Sequence, residues 1–177
     1  MLITKLYQTI DDRGKQKYAP ICCKADDAWL GKGFYFWDTR IEDAHWWGQS
    51  HYNGIYAICE SEYDYHSLEY FDLMGNVGHR DYFLVFAEAV IKRHHKDYTV
   101  GEIIEILKKI DKNFKYKAIR ALPEDRDGKM LQIRFDKANN YYLPAQRKTQ
   151  MCVIDTTFLL NGKYDLIYSS INEIIAV

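Results

Sequence analysis

Residues 29–47, WLGKGFYFWDTRIEDAHWW, set a cation between two glycines and follow it at once with an aromatic run. Gly31 and Gly33 permit backbone conformations and close approaches that other residues resist. Lys32 adds a positive charge between them. Phe34, Tyr35 and Phe36 then enter a strand, where successive side chains alternate faces, so Tyr35 points opposite to its neighbours. With Phe34 and Phe36 packed inward, the Tyr35 ring stands on the other side of the sheet beside a cationic loop. There it can stack on a planar base. The plain alternative is a glycine turn leading into a core strand, and spacing alone favours it because short glycine patterns recur by chance.

Other reactive side chains carry less. Cys22 and Cys23 are adjacent, which strains a disulfide between them. Cys59 and Cys152 sit in apolar runs, IYAICES and QMCVID, where a free cysteine serves as a small hydrophobe. No C-x-x-C or Cys/His spacing suggests zinc, and the side chains of His94 and His95 diverge on any regular element, so no metal site is expected. Arg13 and Lys15 follow the first strand as loop cations that could meet a pyrophosphate, although a cation in an exposed loop is more often simply solvated. The run Lys92-Arg93-His94-His95-Lys96 reads as the cationic end of a helix, where positive charge favours the C-terminal dipole. Glu124, Asp125, Arg126, Asp127 and Gly128 read as a turn.

These residues are carried by 177 residues, one domain's worth at roughly 100–200 residues per domain. We read residues 1–177 as one domain. Hydrophobic residues make up 47% and charged residues 28%, which excludes a disordered or fibrous chain. Lys plus Arg number 24 against 25 acidic residues, and the net charge of −1 argues against binding nucleic acid mainly through phosphate charge. No apolar run approaches the roughly 20 residues a membrane helix needs, and MLITKLYQTIDDRGK turns charged too soon for a secretory signal. A cytoplasmic protein is expected. Tyr alone contributes 15 residues and the aromatic share is 15%, enough to fill a core, stack on a ligand or line an interface.

Periodicity places strands at 2–8 and 54–60, an aromatic strand after the glycines within 29–38, and helices at 77–93 and 99–112. Thr39-x-x-Glu42 predicts a capping box opening a helix with Ile41, Ala44, His45 and Gly48 on one face, and Thr99-x-x-Glu102 predicts a second box. Its helix should bury Ile103, Ile106, Leu107 and Ile110. From about residue 115 strands return in FKYKAIRAL, KMLQIRF, QMCVID, KYDLIYSS and NEIIAV. Runs of strands bracketing helices, without regular βαβ alternation, give an α+β fold. Trp46 and Trp47 point about 100° apart on their helix, so one is expected in the core and the other, with His45 or His51, as a surface anchor.

The segment Gly31-Lys32-Gly33-Phe34-Tyr35-Phe36, followed by a helix with Ala44 and then Trp46 or Trp47, resembles the central motif of the ADP-ribosyltransferase fold in its diphtheria-toxin-like and poly-ADP-ribose-polymerase-like branch. It is similar also to an uncharacterised bacterial family of that fold with an F-G-K-G-F-Y motif. The resemblance covers residues 1–62 well and the rest loosely. It implies two small packed sheets, flanked by helices, that form an NAD cleft. Tyr35 would stack on nicotinamide, and Gly31, Lys32 and Gly33 would let the backbone approach the dinucleotide. The family's first strand ends in a His followed by Gly and Thr or Ser. Here the strand reads Leu6-Tyr7-Gln8-Thr9, so Gln8 and Thr9 stand at the adenosine-ribose position, and an amide can still donate to and accept from a hydroxyl. Near the C-terminal end the family presents a Glu or Gln; here that is Gln150, with Glu60 and Glu62 as alternatives.

Tyr35 and Gln150 are thus the candidate catalytic residues. The implied activity is NAD-dependent transfer of ADP-ribose to an unknown acceptor, or NAD hydrolysis, without a metal. Breaking the nicotinamide–ribose bond builds positive charge on the sugar, which a carboxylate would stabilise more than a neutral amide does. A second reading keeps the fold as a nucleotide- or ADP-ribose-binding module of weak or no activity. A third is an interaction protein whose surface aromatics form a homodimer face.

Overall fold

The computed structural model describes residues 1–13, 18–122, 133–134, 142–143 and 148–171. In chain order its elements are β1 (Ile3–Asp11), β2 (Cys22–Cys23), β3 (Gly33–Asp38), α1 (Ile41–His51), β4 (Tyr56–Asp64), β5 (Tyr70–Asp72), α2 (Val77–His94), α3 (Val100–Ile110), β6 (Ala118–Ala121), β7 (Ile133–Arg134), β8 (Tyr142–Leu143), β9 (Gln150–Val153) and β10 (Asp165–Ser169). The class is α+β. The resemblance leads one to expect two small packed sheets; the described strands instead join in one open eight-stranded sheet, ordered β10-β4-β1-β3-β9-β6-β5 with β2 against β3, and β7 and β8 pair separately.

Neighbouring strands are antiparallel except β5 and β6, and these are joined through α2 and α3, the kind of long crossover that parallel pairing requires. β1 runs against β4 from Ile3↔Asp64 to Asp11↔Tyr56 but meets β3 only at Leu6↔Asp38 and Tyr7↔Trp37. Beyond Tyr7 the two strands part, and β2 takes up the free edge of β3 at Phe34 and Gly33. That short junction opens the sheet where the site lies.

Both faces of the sheet are covered, as the alternation of β3 requires. Phe36, with Phe34 packed against it, joins Leu6, Tyr63, Met151 and Phe158 on one face. Tyr35 packs on the other with Leu30, Ile104 and Cys152, under α2 and α3. Trp37 follows on that face against Ala44 of α1. Tyr35 therefore faces opposite to Phe34 and Phe36, as the strand period predicts. Cys59 and Cys152 are both fully buried, and burial pushes the Cys152 thiol up to about 12.

The capping-box expectation at Thr99 holds: Thr99 Oγ1 accepts from Glu102 N at 3.2 Å and Glu102 Oε2 accepts from Thr99 N at 2.8 Å. The box at Thr39 does not form. Helix α1 starts two residues later, with Arg40 at its N-cap and no side-chain cap bond, because the sheet holds Thr39: its N–H donates to Lys5 O and its φ is 66°. On α3 the buried stripe is Ile103, Ile104 and Leu107, whereas Ile110 is exposed. The Lys92–His94 run does end a helix, closed by His95 in the left-handed region. Strand 163–170 is found as β10. The 124–128 turn and the NEIIAV strand fall outside the described residues, as does Lys15. Among the described residues no helix is long and apolar enough to cross a membrane.

Candidate functional site

Where β1 and β3 part, a cavity of about 320 Å³ opens. Gln8, Thr9 and Ile10 of β1 line one side, Tyr35 and Trp37 of β3 the floor, and Gln150 of β9 the far side. The loop before β3 contributes Ile21, Cys23, Ala28 and Trp29, and α1 with its C-terminal turn adds Trp47 and Tyr52. Four of the residues singled out in the sequence, Gln8, Thr9, Tyr35 and Gln150, thus meet around one space. Their meeting follows from the strand order, which sets β3 between β1 and β9 and registers Trp37 opposite Gln150 and Tyr35 opposite Cys152.

Each side chain is held differently. Gln8 is buried, and its Nε2 donates to Tyr35 O at 3.0 Å and to Ile21 O at 3.1 Å, while its Oε1 accepts from Ile21 N. The side chain therefore stands in for a missing stretch of backbone ladder between β1, β3 and the entry to β2. Both amide hydrogens are used, so Gln8 can offer a ligand only the remaining acceptor site on its oxygen. The Thr9 hydroxyl donates to Ala44 O at 2.7 Å and ties β1 to α1. Tyr35 Oη accepts from Leu30 N at 2.8 Å and donates to Gly31 O at 2.7 Å. Burial first, and then the nearby Cys152, hold this phenol far above the usual tyrosine range, so it is neutral. Gln150 Oε1 accepts from Trp29 Nε1 at 2.9 Å.

The glycine segment goes elsewhere. Gly31, Lys32 and Gly33 are absent from the cavity lining; Gly31 and Lys32 instead face α3 across a hollow shared with Asp26 and Glu105. Lys32 Nζ pairs with Asp26 at 2.7 Å and its N–H donates to Glu105 Oε1 at 2.8 Å. Gly31 has φ +79°, and a Cβ there would lie 2.5 Å from Glu105 Oε1; one at Gly33 would lie 2.6 Å from Cys152 Sγ and 2.8 Å from Val153 O. The packing of α3 and β9 accounts for both glycines without a dinucleotide. Gly31 O still meets the Tyr35 hydroxyl, but Gly31, Lys32 and Gly33 do not line the cavity with its ring.

The alternatives to Gln150 also lie apart. Glu60 pairs with Lys5 at 2.9 Å, and Glu60 and Glu62 border a different hollow beside residues 160–165. Arg13 is committed to Asp11 at 2.8 Å. Of the adjacent tryptophans, Trp47 enters the cavity wall, its ring 5.9 Å from Trp37, while Trp46 stays more exposed beneath Lys148 Nζ, 3.2 Å from its ring centre. Among the described residues, no group of His, Cys, Asp and Glu is arranged to hold a metal ion.

Sequence reasoning missed Trp29, Trp37 and Tyr52. All three were legible as aromatics, but nothing in local spacing separates a cavity wall from a core. The resulting site is a small chamber walled by five aromatic rings, with amides at Gln8 and Gln150, a hydroxyl at Thr9 and, among the described residues, no charged lining residue. It can hold a flat ring by stacking and orient it with a few hydrogen bonds, and its volume is at the lower end of the usual roughly 300–1,000 Å³ for ligand pockets. Compared with family models, curated proteins and solved structures, the chain finds no match.

Proposed function

We propose that this cavity takes the nicotinamide–ribose half of NAD and that the protein transfers ADP-ribose to an acceptor, or to water. The reading rests on one observation: Gln8, Thr9, Tyr35 and Gln150, far apart in the chain, line the same aromatic chamber. The nicotinamide ring of NAD is cationic, and aromatic faces attract a cation without needing a charged wall. A stack on Tyr35 is worth about 1–3 kcal/mol. In the reaction the bond between the sugar C1′ and the ring nitrogen breaks. Nicotinamide leaves with the bonding pair, and the acceptor's nucleophile bonds C1′ and gives up its proton. Gln150 would orient the ribose hydroxyl. The rest of the dinucleotide would extend past Gln8 and Thr9, where the adenosine ribose is expected; among the described residues the chamber has no cation to meet a pyrophosphate.

A second reading, the binding module, has its own support, since among the described residues no carboxylate lines the cavity to stabilise developing positive charge. Titrating the protein with NAD, nicotinamide and ADP-ribose by calorimetry, alongside an assay of nicotinamide release, separates the two. Binding with release is the expected result. Binding without release selects the module, and no binding at millimolar NAD overturns both.

A further inference from the structure

Trp29 sits on a turn tied down at several points. Gly31 N donates to Ala28 O at 2.9 Å, the Tyr35 hydroxyl bridges Leu30 N and Gly31 O, and Glu105 receives the Lys32 amide. From this rigid support the Trp29 indole reaches a residue 121 positions away, with Nε1 2.9 Å from Gln150 Oε1. An indole nitrogen only donates. The atom facing it must therefore be the amide oxygen, and the N–H₂ group takes the opposite edge. That group has no hydrogen-bond partner among the described residues, and Gln150 lines the cavity.

We infer that Trp29 is a positioning residue: its N–H locks the Gln150 amide so that the cavity meets its ligand with two donors at this point. A carboxylate in the same place would only accept. The ligand group beside Gln150 is then one that offers an acceptor oxygen, such as a sugar hydroxyl oxygen or a carbonyl. The catalytic consequence rests on the NAD reading above, whereas the locked amide does not.

Trp29→Phe keeps a ring and deletes the donor. Nicotinamide release should fall by about tenfold in kcat with KM little changed, the scale of one hydrogen bond. The Gln150→Glu background supplies the decisive comparison, because the two oxygens of a carboxylate are equivalent and need no orienting. There Trp29→Phe should cost under about twofold, a coupling of the kind that double-mutant cycles isolate. An equal loss in both backgrounds would mark Trp29 as a packing residue and overturn the inference. Independently of activity, the side-chain N–H₂ resonances of Gln150 should shift and lose their distinctness in Trp29→Phe; unchanged resonances overturn it as well. If wild-type protein neither binds nor cleaves NAD, the NAD reading falls and these resonances alone decide the locked amide. Should Trp29→Phe fail to fold, the indole N–H of intact Trp29 in Gln150→Leu serves instead. Faster exchange and a moved signal support the bond, and an unmoved signal refutes it.

Discussion

Tyr35 serves the site with its ring and the fold with its hydroxyl. Leu30 is fully buried, and the phenol is the acceptor for its N–H. Tyr35→Phe should therefore leave that N–H without its partner and cost about 1–3 kcal/mol in urea unfolding, while the ring still stacks. Tyr35→Ala removes core contacts as well and is the less informative variant, since the ring packs with Leu30 and Cys152. At position 150 the expected effect is on chemistry. Gln150→Glu would place a carboxylate at the far side of the chamber, with one oxygen able to accept from Trp29 Nε1. If the cavity handles NAD as proposed, nicotinamide release should rise by up to about 10²-fold, the scale of a preorganised electrostatic group. Release no faster than in buffer would favour the binding module.

Helices α1 and α3 open with the same four-residue signal and behave differently. At α3 nothing competes for Thr99, and both reciprocal bonds form. Thr99→Ala should cost about 1 kcal/mol, read from the unfolding midpoint. At α1 the preceding strand wins: Asp38 N donates to Thr149 O, Thr39 N donates to Lys5 O, and the chain turns through a positive φ before the helix begins. A threonine in the left-handed region is strained by roughly 1–2 kcal/mol, so Thr39→Gly should be neutral or stabilising. The same T-x-x-E pattern is thus expected to lose stability on mutation at Thr99 and to lose none at Thr39.

At the scale of the whole molecule, a buried charge network ties the sheet together away from the cavity. Arg120 Nε meets Asp38 Oδ2 at 2.7 Å, its Nη1 approaches Asp72 at 3.5 Å, and Tyr63 donates to Asp38 at 3.1 Å, so β3, β4, β5 and β6 share one cluster. The Asp38 side chain is 1% exposed. Asp38→Ala removes the nearer of the two carboxylates from a largely buried guanidinium and should cost about 3 kcal/mol in chemical unfolding. Alkaline pH provides a second check. Burial holds the phenols of Tyr35 and Tyr63 above their ordinary value of 10.0. Their folded pKa exceeds the unfolded one, so their contribution is fully present below about pH 10 and is lost as pH rises beyond it. The unfolding midpoint should fall progressively as pH rises above about 10, and it should fall less in Tyr35→Phe.

Local periods and local bonds are what the amino-acid order by itself determined. Alternation turned Tyr35 away from Phe34 and Phe36, the Thr99 box opened α3, and the apolar runs around Cys59 and Cys152 became buried strands. Each of these depends on neighbours within a few residues. Partnerships across the chain were decided by the tertiary structure alone. Only the order β1-β3-β9 brings Gln8 and Gln150 to the same chamber, and only the turn before β3 carries Trp29 to Gln150. The same packing spent the Gln8 amide hydrogens on backbone carbonyls and drew Gly31 and Lys32 toward α3, out of the cavity their sequence proximity to Tyr35 suggested. Strand order leaves no mark in local spacing, because the hydrogen bonds that set it join backbone groups every residue possesses.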